Sequence, residues 1–449
     1  MARLFGTDGV RGVAGVELDA VLAYDLGRAG AYVLSLGTKR PRILVGRDTR
    51  ISGQMLEAAL SAGICSVGAD VLSVGVMPTP AVAWLTRKYG CDAGVVISAS
   101  HNPMEYNGIK FFDGNGFKLP DAVEDRIEEL IKDKVDELPT ASGADMGTIE
   151  RMERAEDDYI GFLKSLMDVN IKGVHVVLDC ANGAAHHIAP RLFRELGAKV
   201  LSIYDEPDGT NINDGCGSTH MEHIQSIVRD TGADIGFAFD GDADRMLAVD
   251  GTGEFIDGDR IMAICALDLK ERGLLSGNTL VMTVMSNLGL RVAMENAGIS
   301  VSVTAVGDRY VLERMLEEGY SIGGEQSGHV IFLSENTTGD GLVSAVRLLS
   351  AVRRSGKPLC QCKDVMDVYP QVLRNVTLSS NEGKELFKSD VVIADEIKAI
   401  EESYHGRGRV LVRASGTEPL IRVMVEGADR EKVTRDAERL AEMIRERLG

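Results

Sequence analysis

"AGVVISASHNPMEYNGIKFF", residues 93–112, carries an apolar strand into a serine, a histidine and a proline turn. Val95, Val96 and Ile97 form a β-branched run of the kind buried inside a parallel sheet. Asn102-Pro103 and Asn107-Gly108 mark turns, and Ile109 to Phe112 starts a second strand. Ser100 falls just past the first strand's carboxyl end, where open α/β sheets place their ligands. No G-x-S-x-G frame surrounds it, so this is not a hydrolase elbow. The stretch predicts an α/β sheet with a serine on its ligand edge, and something elsewhere in the chain must make that serine reactive.

Outward from there the pattern repeats. "RILVGRDTRISG" at 42–53 leads through a helical pattern to "AGICSVGADVLSVG" at 62–75. "VHVVLDCANGAA" at 174–185 leads to "LFRELGAKVLSI", and "LVMTVMSNLGL" at 280–290 leads to "AMENAGISVSVTAV". Each unit is strand, polar loop, helix, glycine and second strand, the βαβ pattern with its right-handed crossover. Three such units predict three related α/β domains. The tail differs: "RVLVRASGTEPLIRVMVEG" gives two strands around a loop, and "REKVTRDAERLAEMIRERL" an amphipathic helix. That is a smaller α+β domain with an antiparallel sheet. Candidate breaks at Asp136 to Gly147 and Ser355 to Tyr369 place the domains at 1–155, 156–253, 254–366 and 367–449.

The 449 residues exceed one core, in keeping with several domains. A net charge of −19 argues against nucleic acid or an anionic membrane as partner, so an anionic substrate must be held by local arginines. No apolar run is long enough for a membrane span, and Asp8 and Arg11 interrupt any signal-peptide core. Seven scattered cysteines without a C-x-x-C pair indicate neither disulfides nor zinc, and a cytoplasmic protein is expected.

Four polar loops stand out, one per domain. Beside the serine loop, "FAFDGDADRM" at 237–246 sets Asp240, Asp242 and Asp244 at alternate positions after a strand. Three carboxylates that converge there suit a hard divalent cation, and the adjacent Arg245 suits a phosphate beside it. Gly251 stands where an EF-hand would need glutamate, so that alternative fails. "SIGGEQSGHVIF" at 321–332 offers Glu325, Gln326, Ser327 and His329 between glycines, a set suited to hydroxyl groups. "VRASGTEPLIRV" at 412–423 presents Ser415, Gly416 and Thr417 between Arg413 and Arg422, an anion nest with guanidinium forks. Each loop alone is equally a solvated turn. Together they describe a serine that carries phosphate, a metal beside it, a sugar reader and a second phosphate grip. A phosphatase needs one phosphate site; an enzyme that moves phosphate within one sugar needs two.

The motifs "ISASHNP", "FDGDADR", "GGEQSGH" and "RASGTEP", in this order and with "FGTDGVRG" at 5–12, resemble those of the α-D-phosphohexomutase superfamily along the whole chain. "NINDGCGSTH" at 211–220 and Gln326 are similar to the phosphoglucosamine branch, the phosphomannomutase/phosphoglucomutase branch having methionine at the latter place. The resemblance implies three α/β domains and a smaller fourth around a central active-site cleft. It implies Ser100 as phosphoserine, with Asp240, Asp242, Asp244 and the serine phosphate as ligands of one Mg²⁺. Arg11, Lys110 and Arg245 would surround the reacting phosphate, with Lys110 a proton shuttle and His101 or His329 assisting. Glu325, Gln326 and Ser327 would read the sugar, and Arg413, Ser415, Gly416, Thr417 and Arg422 the distal phosphate. Ala414 departs from the proline or lysine frequent in relatives. The implied reaction interconverts glucosamine 6-phosphate and glucosamine 1-phosphate, supplying UDP-N-acetylglucosamine synthesis, in a monomer or homodimer. Phosphomannomutase or phosphoglucomutase activity, a metal-dependent sugar phosphatase and a non-catalytic sugar-phosphate sensor are the alternatives.

Overall fold

Strand Ala93–Ile97 is buried at every residue, as its unbroken apolar run requires. In the computed structural model, which describes residues 3–6, 8–378, 382–414 and 420–448, it lies inside a seven-stranded sheet. The sheet is mixed, not parallel throughout. Ala93–Ile97 pairs parallel with Arg42–Arg47 and antiparallel with Tyr106–Asp113, because the Asn-Pro turn folds the next strand straight back. Helices Ala20–Leu34 and Ser52–Ser66 cover one face with Leu26, Leu56, Leu60 and Ile64 against Ile43, Val45, Val95 and Ile97. They touch backbone to backbone: a Cβ at Gly27 would stand 2.2 Å from Leu60 O, and one at Gly63 2.1 Å from Tyr24 O. Only glycine permits that approach.

The other two predicted βαβ units form parallel pairs. His175–Asp179 pairs with Lys199–Ile203 in a five-stranded sheet, and Thr279–Thr283 with Ser300–Thr304 in a four-stranded one. Phe255–Ile256, assigned to the third domain by a boundary at 254, instead pairs with Met246–Asp250 and completes the second sheet. The turn at Gly251–Gly253 makes it the return arm of a hairpin, a local signal in Asp250-Gly251-Thr252-Gly253 that the boundary at 254 passed over.

The chain divides into two compact units, residues 1–285 with 299–365, and 286–298 with 366–449. The first holds all three sheets above. The second carries the predicted antiparallel sheet, in the order Gln371–Thr377, Leu420–Gly427, Gly408–Ala414. Ile421, Val423 and Val425 alternate along one strand and bury against Val433, Leu440 and Ile444 of helix Arg430–Leu448. Helix Leu288–Asn296, the crossover of the third βαβ unit, groups with this second unit, where the Leu288 N–H donates to the buried Glu426 carboxylate at 2.9 Å. Among the described residues no helix is long and apolar enough to cross a membrane.

Candidate active site

Ser100 sits in a left-handed conformation, φ 52°, just past its strand. A residue with a Cβ costs about 1–2 kcal/mol there, so its surroundings must hold it. The Ser98 hydroxyl accepts the Ser100 N–H at 3.0 Å and donates to Asp48 Oδ2 at 2.6 Å. In this conformation Ser100 Oγ donates to Asp240 Oδ2 at 2.6 Å, joining the first sheet's loop to the second's.

Asp240 follows strand Ile235–Phe239, and Ala243, at φ 56°, supplies the bend that the alternate aspartates need in order to converge. One carboxylate oxygen from each of Asp240, Asp242 and Asp244 lies within 4.8 Å of the others, and all three residues are buried. Burial and the charges of Asp244 and Asp242 push Asp240 well above the usual carboxylate range. Burial acts the same way on Asp244, but His329, Lys110 and Arg245 outweigh it and hold that carboxyl low. Asp242 Oδ2 accepts from Thr79 Oγ1 at 2.6 Å and Lys110 Nζ at 3.0 Å. Asp242 Oδ1 and Asp244 Oδ1 are buried without a hydrogen-bond partner among the described residues. Orphaned carboxylate oxygens in an all-oxygen cluster are what a hard divalent cation satisfies, so the donor set fits one.

A cavity of about 530 Å³ borders this cluster, lined by Arg11, His101, Lys118, Arg245, Asp308, Glu325 and His329 among others. Of the expected cations, Arg11 and Arg245 are on its wall, whereas Lys110 is buried beside it. Burial disfavours the Lys110 charge, but Asp242 and Asp8 overcome this and raise its pKa. Arg245 Nη1 donates to His101 Nδ1 at 3.1 Å, so that ring nitrogen is an acceptor already engaged. Ser100 Oγ is 3.5 Å from the same nitrogen, and burial with the nearby arginines lowers the His101 pKa. His101 is therefore poorly disposed as the serine's base. His329 Nδ1 faces Asp244 Oδ2 at 3.5 Å, and its Nε2 accepts the Gly339 N–H at 3.1 Å.

Several residues here escaped the sequence reading. Asp8 accepts from Lys110 and Lys118 at 2.8 Å each and pairs with Arg11; Lys118 also meets Asp308 at 2.6 Å. Asp308 follows strand Ser300–Thr304, and that strand-end position is the signal that would have found it. Thr79, three residues past strand Asp70–Val76, carries the same signal, whereas Lys118 carries none.

Comparison with known proteins matches the chain to four models in order. They are the phosphoglucomutase/phosphomannomutase alpha/beta/alpha domain I at 2–137, domain II at 157–253, domain III at 257–369, and the C-terminal domain at 373–443. A phosphoglucosamine mutase of Ruminiclostridium cellulolyticum is 58% identical over 450 residues, covering 100% of both chains. One from Clostridium perfringens is 58% identical over 444 residues, 99% of each. The chain belongs to the phosphoglucomutase/phosphomannomutase family, on its phosphoglucosamine branch. The crystal structure of a family protein from Burkholderia thailandensis, 26% identical, superposes with a TM-score of 0.82 over 100% of this chain and 99% of that one.

The family's sugar motif is split here by its geometry. Glu325 lines the cavity and accepts the Gly307 N–H at 3.1 Å. Ser327 is exposed, and the Gln326 amide turns to Asp257 Oδ2 at 3.2 Å, the residue that caps helix Gly258–Glu271. Neither lines the cavity. The loop expected to hold a distal phosphate falls in the second unit, where Arg413 and Arg422 are direct cross-strand partners. Ser415, Gly416 and Thr417 lie outside the described residues.

Proposed function

We propose that this enzyme interconverts glucosamine 6-phosphate and glucosamine 1-phosphate, with Ser100 carrying the phosphoryl group. The observation that carries the reading is Ser100 Oγ, 2.6 Å from Asp240 of the buried carboxylate cluster, while Asp244 of that cluster and His101 beside the serine line a cavity walled by Arg11 and Arg245. A phosphatase using Asp240 as its nucleophile would leave that serine unused. Asp240, Asp242, Asp244 and the serine phosphate would hold one Mg²⁺, which supplies positive charge to the phosphoryl oxygens.

The substrate's free hydroxyl attacks phosphorus, the Ser100 Oγ–P bond breaks, and a glucosamine bisphosphate forms. Arg11 and Arg245 bind the transferring group's equatorial oxygens, where charge is spread in the transition state. The attacking hydroxyl's proton passes to an oxygen of the transferring phosphoryl group or to water, and Ser100 Oγ takes one up. Lys110, held protonated by Asp242 and Asp8, is suited to donate from Nζ. Glu325 accepts ring hydroxyls from the cavity wall. After the bisphosphate turns end for end, its other phosphate returns to Ser100. By family likeness, Arg413 and Arg422 with Ser415, Gly416 and Thr417 would hold the phosphate that is not reacting. The preference for the amino sugar rests on the branch likeness, since Gln326 points away from the cavity. The site of action is the cytoplasm.

The test is a panel of glucosamine, glucose and mannose phosphates on purified enzyme, with intact-mass analysis. Mutase turnover favouring glucosamine phosphate, one phosphoryl group on Ser100, and loss of both in Ser100→Ala are expected. Inorganic phosphate released in step with substrate loss would establish a phosphatase instead. A preference for mannose or glucose phosphate would move the enzyme to the other branch and leave the chemistry standing.

A further inference from the structure

The segment "NINDGCGSTH" contributes nothing to the cavity wall, yet it reaches the nucleophile from behind. Asn213 Nδ2 donates to the carbonyl oxygen of Ser100 at 2.9 Å and to that of Asn102 at 3.0 Å. Arg50 Nη2 donates to the same two oxygens, at 3.1 Å to Ser100 and with a shorter bond to Asn102. A carbonyl oxygen has two lone pairs. Both acceptors therefore receive two donors, one from the first sheet's loop and one from the second domain. We infer that Asn213 is a positioning residue for the nucleophile, fixing Ser100 against the carboxylates that the same domain presents. The inference rests on reading Ser100 as the phosphate carrier.

The loop is built to hold that amide still. Asp179, buried at the end of strand His175–Asp179, accepts the N–H groups of Ala181 and Gly217 at 2.9 Å each. Asn213 N donates in turn to Ala181 O at 2.9 Å. Asn213 is itself left-handed, φ 59°, a conformation asparagine tolerates better than most residues. There is no slack around the contact: a Cβ on Gly241 would stand 2.6 Å from Ser100 O and 2.8 Å from Asn213 Nδ2. The second domain thus grips Ser100 twice, at Oγ through Asp240 and at the carbonyl through Asn213. Two anchors on one rigid domain set the serine's distance and direction relative to the metal-type cluster. The reason for an amide at 213 is chemical, since one NH₂ supplies two donors to two oxygens and a carboxylate supplies none.

Asn213→Gly removes the amide and leaves the left-handed backbone unstrained. With wild type as control, kcat for glucosamine 6-phosphate conversion should fall about tenfold or more, the scale expected of a slightly misplaced nucleophile. KM should stay within about threefold, because uniform substrate binding is untouched. Single-turnover transfer from phosphorylated Ser100 to glucosamine 6-phosphate should fall by the same factor as kcat. Asn213→Asp, which aims oxygen at both carbonyls, should be slower still. If Asn213→Gly does not yield folded enzyme, Asn213→Asp, of unchanged shape, is read the same way. A folded variant with kcat within about twofold of wild type, or with kcat preserved and KM raised, overturns the inference. Wild-type enzyme without phosphoserine turnover would instead remove the functional reading beneath it.

Discussion

Arg50 and Asp48 form an ion pair with both side chains wholly buried. Arg50→Met keeps an unbranched chain and removes the charge, leaving the Asp48 carboxylate with only the Ser98 hydroxyl and the Arg50 N–H. Burial already pushes Asp48 upward, and Arg50 is the cation that pulls it back. Breaking one side of such a pair costs about 3–5 kcal/mol, most of it the uncompensated charge. Removing both charges, in Asp48→Asn with Arg50→Met, takes away that penalty. What remains is the loss of one bond at each of the Ser100 and Asn102 carbonyls, with Asn213 still in place, and of one of the two bonds that the Asp48 oxygens accept, about 0.5–1.5 kcal/mol apiece. The double variant should therefore recover about 1 kcal/mol over the single one. Its turnover should stay low, because the serine's carbonyl is still held from one side only. Denaturant unfolding, followed on the same transition for wild type and both variants, measures the first quantity, and steady-state mutase kinetics the second. A single variant within about 1 kcal/mol of wild type, or a double variant no more stable than the single, would refute the reasoning about the buried charge.

Asp242→Asn keeps the Thr79 bond and nearly the same shape but loses a ligand charge. The Mg²⁺ concentration needed for half-maximal stabilisation in thermal unfolding should rise by ~10-fold or more, and an unchanged requirement would remove Asp242 from the metal site. Glu124, on helix Asp121–Asp133 and facing Arg3 at 3.3 Å, has its carboxyl pushed up by burial to about 7. The folded state then holds that proton more tightly than the unfolded chain, so this stability is complete below the unfolded pKa and is lost as pH rises through about 7. Glu124→Gln should match wild type in melting temperature near pH 5 and exceed it near pH 8, by a margin that solvent screening keeps small; equal pH profiles would contradict the shift.

What the sequence reveals here is what the chain does within about a dozen residues. The runs at 93–97, 235–239 and 279–283 declare buried strands, and the loops after them declare Ser100 and the three aspartates. Ala243's left-handed bend is absent from any propensity, but three aspartates at alternate positions imply that some bend exists. Partners far apart in sequence are another matter. Lys118 meets Asp8 across 110 residues and Asp308 across 190. Those contacts depend on how sheets pack, and no local pattern encodes them. Gln326 shows the same limit: its bond to Asp257, the cap of a neighbouring helix, spans 69 residues and has no local signal.

The cavity lies in a chain of net −19, and its own charge balance is set locally. Its cations are not bare. Lys110 lies between Asp242 and Asp8, Lys118 between Asp8 and Asp308, and Arg11 against Asp8. A cation already paired gives an incoming phosphate less net attraction than a free one, because the standing pair must be loosened or shared. For a hydrolase that would only weaken binding. For a mutase it has a use, since the intermediate's two phosphates must exchange places at Ser100 before either is released. A reacting site that gripped phosphate uniformly tightly would deepen the intermediate's well and slow that exchange, whereas charge aimed at the transferring group favours the transition state alone. Asp8 touches three of those cations and is the carboxylate with which an incoming phosphate competes for them.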